Sequence, residues 1–119
     1  MAKILILDDV WDAANLVKRI LQKKDHEVFA FTEEEEAVDY ARSNKMDLAI
    51  LDIKLKKMSG VEVLEELKKT TPSIRAIMLT GYPTAETAKE SLKHGATEYC
   101  VKPIDKEELE EKVENVLRS

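Results

Sequence analysis

The chain has 119 residues, which fits one domain, and we expect that domain to cover residues 1–119. Its net charge of −5 lacks the basic excess of nucleic-acid-binding domains, and no apolar run approaches the roughly 20 residues that span a bilayer. The chain opens with no signal-peptide pattern, and its one cysteine, Cys100, excludes an internal disulfide. We therefore expect a cytoplasmic domain that binds neither nucleic acid nor membrane.

Five short apolar runs predict β-strands. They are rich in Ile, Leu, Val, Ala and Phe, and two of them, LAIL and AIML, are continuously apolar, as is typical of strands covered on both faces. The predicted strands are Lys3–Leu7, Glu27–Phe31, Leu48–Leu51, Arg75–Leu79 and Thr97–Val101.

Helical patterns follow each of these runs. The first helix is predicted from about Asp12 to Lys23, Pro83 suits the start of the fourth, and Asp105 opens the fifth. Capping boxes are predicted for the second and third helices, where the pairs are Thr32 with Glu35 and Ser59 with Glu62.

The four glutamates Glu33–Glu36 are interpreted as the solvated first turn of the second helix, where negative charge complements the helix dipole. The whole order is strand then helix, five times over, which predicts an α/β fold with a parallel sheet and helices on both faces. Right-handed crossovers then make it a doubly wound (βα)5 sandwich.

Polar residues that suit one site follow four of the five predicted strands. In an open α/β sheet, ligands bind at the carboxyl ends of the strands. Those ends carry Asp8 and Asp9 after the first strand, Asp52 after the third, Thr80 after the fourth and Lys102 after the fifth. The second strand is the exception, which suits a strand at the sheet edge.

Three carboxylates at one edge would repel each other, and a divalent cation among them would remove the repulsion. Oxygen ligands favour Mg²⁺ as the cofactor, held by Asp8, Asp9 and Asp52. The alternative is that Asp8 or Asp9 only caps the first helix. A carboxylate beside Mg²⁺ is also a nucleophile toward phosphoryl groups, and Thr80 and Lys102 would then contact the phosphoryl oxygens.

These motifs resemble the receiver domain of bacterial two-component response regulators, over essentially the full chain. The matching stretches are the acidic pair Asp8-Asp9, "LAILDI" with Asp52, "MLTGY", "EYCVKP" and "MSGVEVLEELK". The resemblance implies a flavodoxin-like, CheY-like sheet in the order 2-1-3-4-5.

The resemblance also implies the role of each site residue. Asp52 would be the phosphoacceptor, and the backbone carbonyl of Lys54 would join the metal ligands. Thr80 and Lys102 would hold the phosphoryl group, and Tyr99 would be the switch aromatic that turns inward as Thr80 moves. The alternative for Tyr99 is an ordinary tyrosine at the core edge. The Lys102–Pro103 peptide bond would be cis.

The chain departs from the family pattern at Val10, where a third acidic residue is common and would support the metal, and in the loop after Asp52. The loop "IKLKKMSG" carries Lys56 where proline is common, which predicts a more mobile loop. Its lysines are interpreted as solvated side chains, the alternative being a contact for a phosphorylated partner. Lys54 and Tyr82 occupy the positions that tune phosphoryl lifetime, and neither orients water well, so slow self-dephosphorylation is expected.

The expected function is therefore a phosphoacceptor whose partners are a sensor histidine kinase or a histidine phosphotransfer protein, and an output protein. The output partner would dock on the fourth helix, fifth strand and fifth helix. The chain could stand alone or be part of a longer regulator. Two alternatives remain: an interaction module that is not phosphorylated, and a Mg²⁺-dependent phosphatase with an aspartyl nucleophile.

Overall fold

A computed structural model describes residues 1–118 and shows five parallel strands alternating with five helices. The strands are β1 (Lys3–Leu7), β2 (Glu27–Phe31), β3 (Leu48–Leu51), β4 (Arg75–Thr80) and β5 (Glu98–Val101). The helices are α1 (Trp11–Gln22), α2 (Glu34–Ser43), α3 (Gly60–Thr70), α4 (Ala85–Lys93) and α5 (Lys106–Arg118).

The sheet order is β2-β1-β3-β4-β5, so the predicted doubly wound topology is confirmed. The strands β2 and β5 form the two edges. Every predicted strand is present, and the bounds differ only in β4, which extends to Thr80, and in β5, which begins at Glu98 rather than Thr97.

Two apolar layers cover the sheet, one on each face. One layer packs α2 and α3 against alternate residues of the central strands, such as Leu5 and Leu51. The other packs α1 and α5 against the residues between them, such as Ile6 and Ile50. Because successive side chains of a strand point to opposite faces, burial on both sides explains the continuous apolar runs of β3 and β4. Among residues 1–118, no helix is both long enough and apolar enough to cross a bilayer.

The observed N-termini of the helices differ from the sequence prediction in two details. The capping box of Thr32 and Glu35 is absent, because α2 begins one residue later than that box requires, with Glu33 at the N-cap and no side-chain cap. The capping box of Ser59 and Glu62 is confirmed. Pro83 precedes the true N-cap of α4, Thr84, whose side chain pairs reciprocally with Thr87.

Gly60 marks the point where α3 passes closest to the end of β3. A Cβ atom on Gly60 would lie 2.2 Å from the backbone oxygen of Asp52 and 3.0 Å from Cα of Ile53. Because both contacts are to backbone, a side chain at this position would force the two segments apart.

We expect Gly60→Ala to lower the free energy of unfolding by about 1–3 kcal/mol, since overpacking against backbone is costly. Gly81→Ala is the matched control, because the nearest atom to its Cβ is Cδ of Lys102 at 4.0 Å. Urea unfolding of the two variants measures the difference. If Gly60→Ala and Gly81→Ala had equal free energies of unfolding, the backbone around Asp52 would be able to shift at little energetic cost.

Candidate functional site

Register brings the ends of the central strands to the same level. Leu7 pairs with Leu51, so Asp8 and Asp52, the next residues, lie side by side, and the amide of Asp52 donates to the carbonyl oxygen of Leu7 at 3.0 Å. On the other side, the amide of Lys102 donates to the carbonyl oxygen of Thr80 at 2.7 Å. The backbone itself therefore gathers the residues that the sequence analysis singled out.

The three predicted carboxylates do converge. One oxygen from each of Asp8, Asp9 and Asp52 can be chosen so that all three lie within 4.8 Å of one another. Asp8 and Asp52 are buried, whereas Asp9 is partly exposed. This is a compact set of hard oxygen donors that opens to solvent on the Asp9 side.

Lys102 lies between two of these carboxylates. Its Nζ donates to Oδ2 of Asp8 at 2.5 Å and to Oδ2 of Asp52 at 3.1 Å. The remaining oxygens accept backbone amides: Val10 donates to Oδ1 of Asp8 at 3.0 Å, and Lys54 donates to Oδ1 of Asp52 at 3.2 Å. Both buried carboxylates are thus fixed at each oxygen.

The electrostatics of the site follow from burial and from the ion triad that Lys102 forms with Asp8 and Asp52. Burial raises the pKa of Asp52 above its ordinary value, the charge of Asp8 adds to the rise, and the Lys102 ammonium only partly opposes it. Burial lowers the pKa of Lys102, but its hydrogen bonds to Asp8 and Asp52 outweigh burial, so the net pKa is raised. Lys102 therefore remains charged.

The donor set fits Mg²⁺. Three carboxylates and one ammonium leave a net charge of −2 at this edge of the sheet, which one divalent cation would balance. Carboxylate oxygens are the ligands that Mg²⁺ prefers. The alternative that an aspartate only caps α1 loses support, because α1 has Val10 at its N-cap and no side-chain cap.

The hydroxyls of Thr80 and Tyr99 form hydrogen bonds with different partners. The Thr80 hydroxyl is fully buried and accepts from the amide of Tyr82 at 3.0 Å. The Tyr99 hydroxyl shares a 2.8 Å hydrogen bond with the Thr87 hydroxyl at the start of α4. Tyr99 is partly buried and its ring packs against the layer formed with α2 and α3.

Lys54 and Tyr82 flank the mouth of the site. Nζ of Lys54 lies 4.6 Å from the centroid of the Tyr82 ring, within cation–π range. Together with Asp9, Asp52 and Lys102 they line an open cleft of about 560 Å³. The Lys102–Pro103 peptide bond beside this cleft is cis, as the resemblance implies.

Sequence reasoning missed Glu34 and Thr87. Glu34 is buried, contrary to the solvated interpretation of the glutamate run, and accepts hydrogen bonds from the amides of Lys57 and Met58. Nothing in the run distinguishes Glu34 from its neighbours. Thr87 escaped notice because a capping box usually carries Glu or Gln at that position.

Two comparisons with curated proteins agree with this geometry. Sporulation initiation phosphotransferase F of Bacillus subtilis is 31% identical over 115 residues, which cover 97% of this chain and 93% of that protein. The transcriptional regulatory protein ZraR of Escherichia coli is 31% identical over 114 residues, which cover 96% of this chain. The 114 aligned residues cover 26% of ZraR, so the chain spans about a quarter of the length of that relative.

A solved structure and a family profile agree as well. The CheY-like response regulator receiver domain protein of Methanospirillum hungatei superposes with a TM-score of 0.95 at 35% identity, covering 99% of this chain and 94% of that one. Residues 4–114 match the profile of the response regulator receiver domain. Such domains are in general phosphoacceptors rather than enzymes, and they work with kinase and output partners. The chain therefore belongs to the response regulator receiver domain family of two-component systems.

Proposed function

We propose that this chain accepts a phosphoryl group on Asp52 from a phosphohistidine donor, in a Mg²⁺-dependent reaction. The observation that carries the proposal is the ion triad of Asp8, Lys102 and Asp52 with Asp9 beside it. It combines a nucleophile, a cation site and a fixed positive charge within one cleft. The donor would be a sensor histidine kinase or a histidine phosphotransfer protein.

The proposed reaction is a displacement at phosphorus. A carboxylate oxygen of Asp52 forms the new P–O bond, the P–N bond of the donor breaks, and its electron pair returns to the imidazole, which takes up a proton. The Lys102 ammonium, 3.1 Å from Asp52, is positioned to pair with a phosphoryl oxygen. Such transfers depend mainly on positioning and on neutralising the phosphoryl oxygens.

Asp8, Asp9, Asp52 and the backbone carbonyl of Lys54 would hold Mg²⁺. When bound, the ion supplies positive charge to the phosphoryl oxygens. Asp9 suits direct coordination because it is partly exposed and, within residues 1–118, none of the side-chain hydrogen bonds described above involves it. Asp8 already holds Lys102 and the amide of Val10, which suits contact through water.

Two hydroxyl groups would have to reorient for the phosphoryl group to switch the surface. The Thr80 hydroxyl, which accepts from the amide of Tyr82, would have to turn its own proton toward the phosphoryl group, and the Tyr99 hydroxyl would have to leave Thr87 for the ring to turn inward. Since Thr87 belongs to the first turn of α4, the second change alters the start of that helix. A phosphoryl group adds negative charge at the site, and a local change in charge can bias the equilibrium between two conformations.

The output partner would dock on the surface formed by α4, β5 and α5. Of the nine residues of α4 only Ser91 is buried, so little packing resists a shift of this helix. Leu92 and Val101 are apolar and exposed on that surface, at 56% and 47%. A contact that includes both would bury apolar area that the free domain leaves in water.

Incubation with acetyl phosphate and Mg²⁺, followed by intact-mass spectrometry, tests the proposal directly. We expect one phosphoryl adduct that requires Mg²⁺ and is absent from Asp52→Asn. A folded protein that binds Mg²⁺ but takes up no phosphoryl group, even from a histidine kinase, would contradict the assignment.

We also expect slow loss of the phosphoryl group, because the Lys54–Tyr82 contact narrows the path of water to Asp52. Water would have to open this cation–π contact, which is worth about 0.5–1 kcal/mol at an exposed site, so replacing both residues by serine should accelerate dephosphorylation about two- to fivefold. Decay of the adduct, followed by mass, measures the rate. Lys56→Ser is the control, since Lys56 lines the same cleft. If the unaltered chain, the double variant and Lys56→Ser lost the phosphoryl group at equal rates, Lys54 and Tyr82 would not shield Asp52 from water.

A further inference from the structure

Glu34 connects α2 to the loop that follows β3. This loop, residues 52–59, begins with Asp52 and leads into α3. Oε2 of Glu34 accepts hydrogen bonds from two consecutive loop amides, those of Lys57 at 2.5 Å and Met58 at 3.1 Å. The residues are 23 and 24 positions apart in sequence, so this is a tertiary contact and not a helix cap.

The environment of Glu34 is unlike that of its neighbours. Only 1% of its surface is exposed, whereas Glu35 and Glu36 on the same turn are exposed. Its Oε1 is buried without a hydrogen-bond partner among residues 1–118. An unsatisfied buried carboxylate oxygen is costly, and the two amide bonds at Oε2 offset that cost.

Glu34 is ionised at neutral pH. Burial raises its pKa, but the hydrogen bonds from the amides of Lys57 and Met58, the nearby amide of Glu34 itself and the Lys57 charge all lower it. The net pKa is below the ordinary value for glutamate. The hydrogen bonds to the loop are therefore charge-assisted, which makes them roughly twice as strong as neutral ones.

The loop needs an external anchor. Lys54, Lys56 and Lys57 are all exposed, and their like charges favour an open loop. At its two ends the loop is fixed by the Lys54 amide on Oδ1 of Asp52 and by the Gly60 amide on the carbonyl oxygen of Ile53 at 2.8 Å. Glu34 fixes the stretch between these ends.

We propose that Glu34 is a positioning residue for the phosphorylation site, holding residues 54–58 so that the Lys54 carbonyl and Asp52 keep the geometry that Mg²⁺ requires. This inference rests on the proposed function, because it assigns the control of that same site. Residues that orient metal ligands typically change metal affinity 10- to 100-fold when removed.

The test is a Mg²⁺ titration of the ¹⁵N-labelled chain, followed through the amide signals of Asp9, Asp52 and Lys54. We expect Glu34→Ala to weaken Mg²⁺ binding about tenfold or more. In the Mg²⁺-free protein, exchange of the Lys57 and Met58 amide protons should accelerate by about the same factor. Glu34→Gln keeps an acceptor oxygen, so it should recover most of the affinity.

Two controls separate positioning from charge and from general stability. Glu35→Ala removes the same charge from the same turn and should leave Mg²⁺ affinity unchanged. Asp47→Ala removes a carboxylate that accepts the Lys3 amide at 2.8 Å at the opposite end of the strands, so it tests loss of a backbone anchor far from the site.

The outcomes are distinct. If the unaltered chain binds no Mg²⁺, the proposed function and this inference both fail. If it binds Mg²⁺ and Glu34→Ala binds as tightly as Glu35→Ala, only the inference is overturned. A loss shared equally by Asp47→Ala would also overturn it, because the effect would then be one of stability.

Discussion

The Lys102 ammonium shared by Asp8 and Asp52 is the interaction on which the rest of the site depends. Both carboxylates are buried, and removing one partner from such a buried pair typically costs about 3–5 kcal/mol. With Lys102 in place, the repulsion between the two aspartates becomes tolerable. The same contact orients Asp52, so the interaction that offsets the repulsion also fixes the proposed phosphoacceptor.

The sheet supplies the geometry that this interaction requires. Parallel strands in the order β2-β1-β3-β4-β5 bring the ends of β1, β3, β4 and β5 to one edge, and the two apolar layers fix their register. The elements differ in how firmly they are held. Helices α1, α2, α3 and α5 contribute to these layers, whereas α4 buries only Ser91. Rigid support under the site and a lightly held helix beside it are what a switch needs.

Much of this could be predicted from the sequence, because local patterns carry it. Apolar runs located all five strands, and the first polar residue after each run located Asp8, Asp52 and Lys102. One failure, the capping box at Thr32, concerns the start of a helix, and the others concern contacts between distant segments. The glutamate run suggested a capping box at Thr32 and solvated side chains, yet Glu34 is buried under a loop more than 20 positions away. Neither the hydrogen bond between Thr87 and Tyr99 nor the contact between Lys54 and Tyr82 has a local signature.

The three residues of the triad lie far apart in sequence, and this has a consequence for how the site forms during folding. Lys102 lies 94 positions from Asp8 and 50 from Asp52, so no local segment can assemble the site. The strands β1, β3 and β5 must all be in the sheet before the ammonium can meet both carboxylates. A chain in which any of these three strands is out of place would therefore lack the complete proposed phosphorylation site.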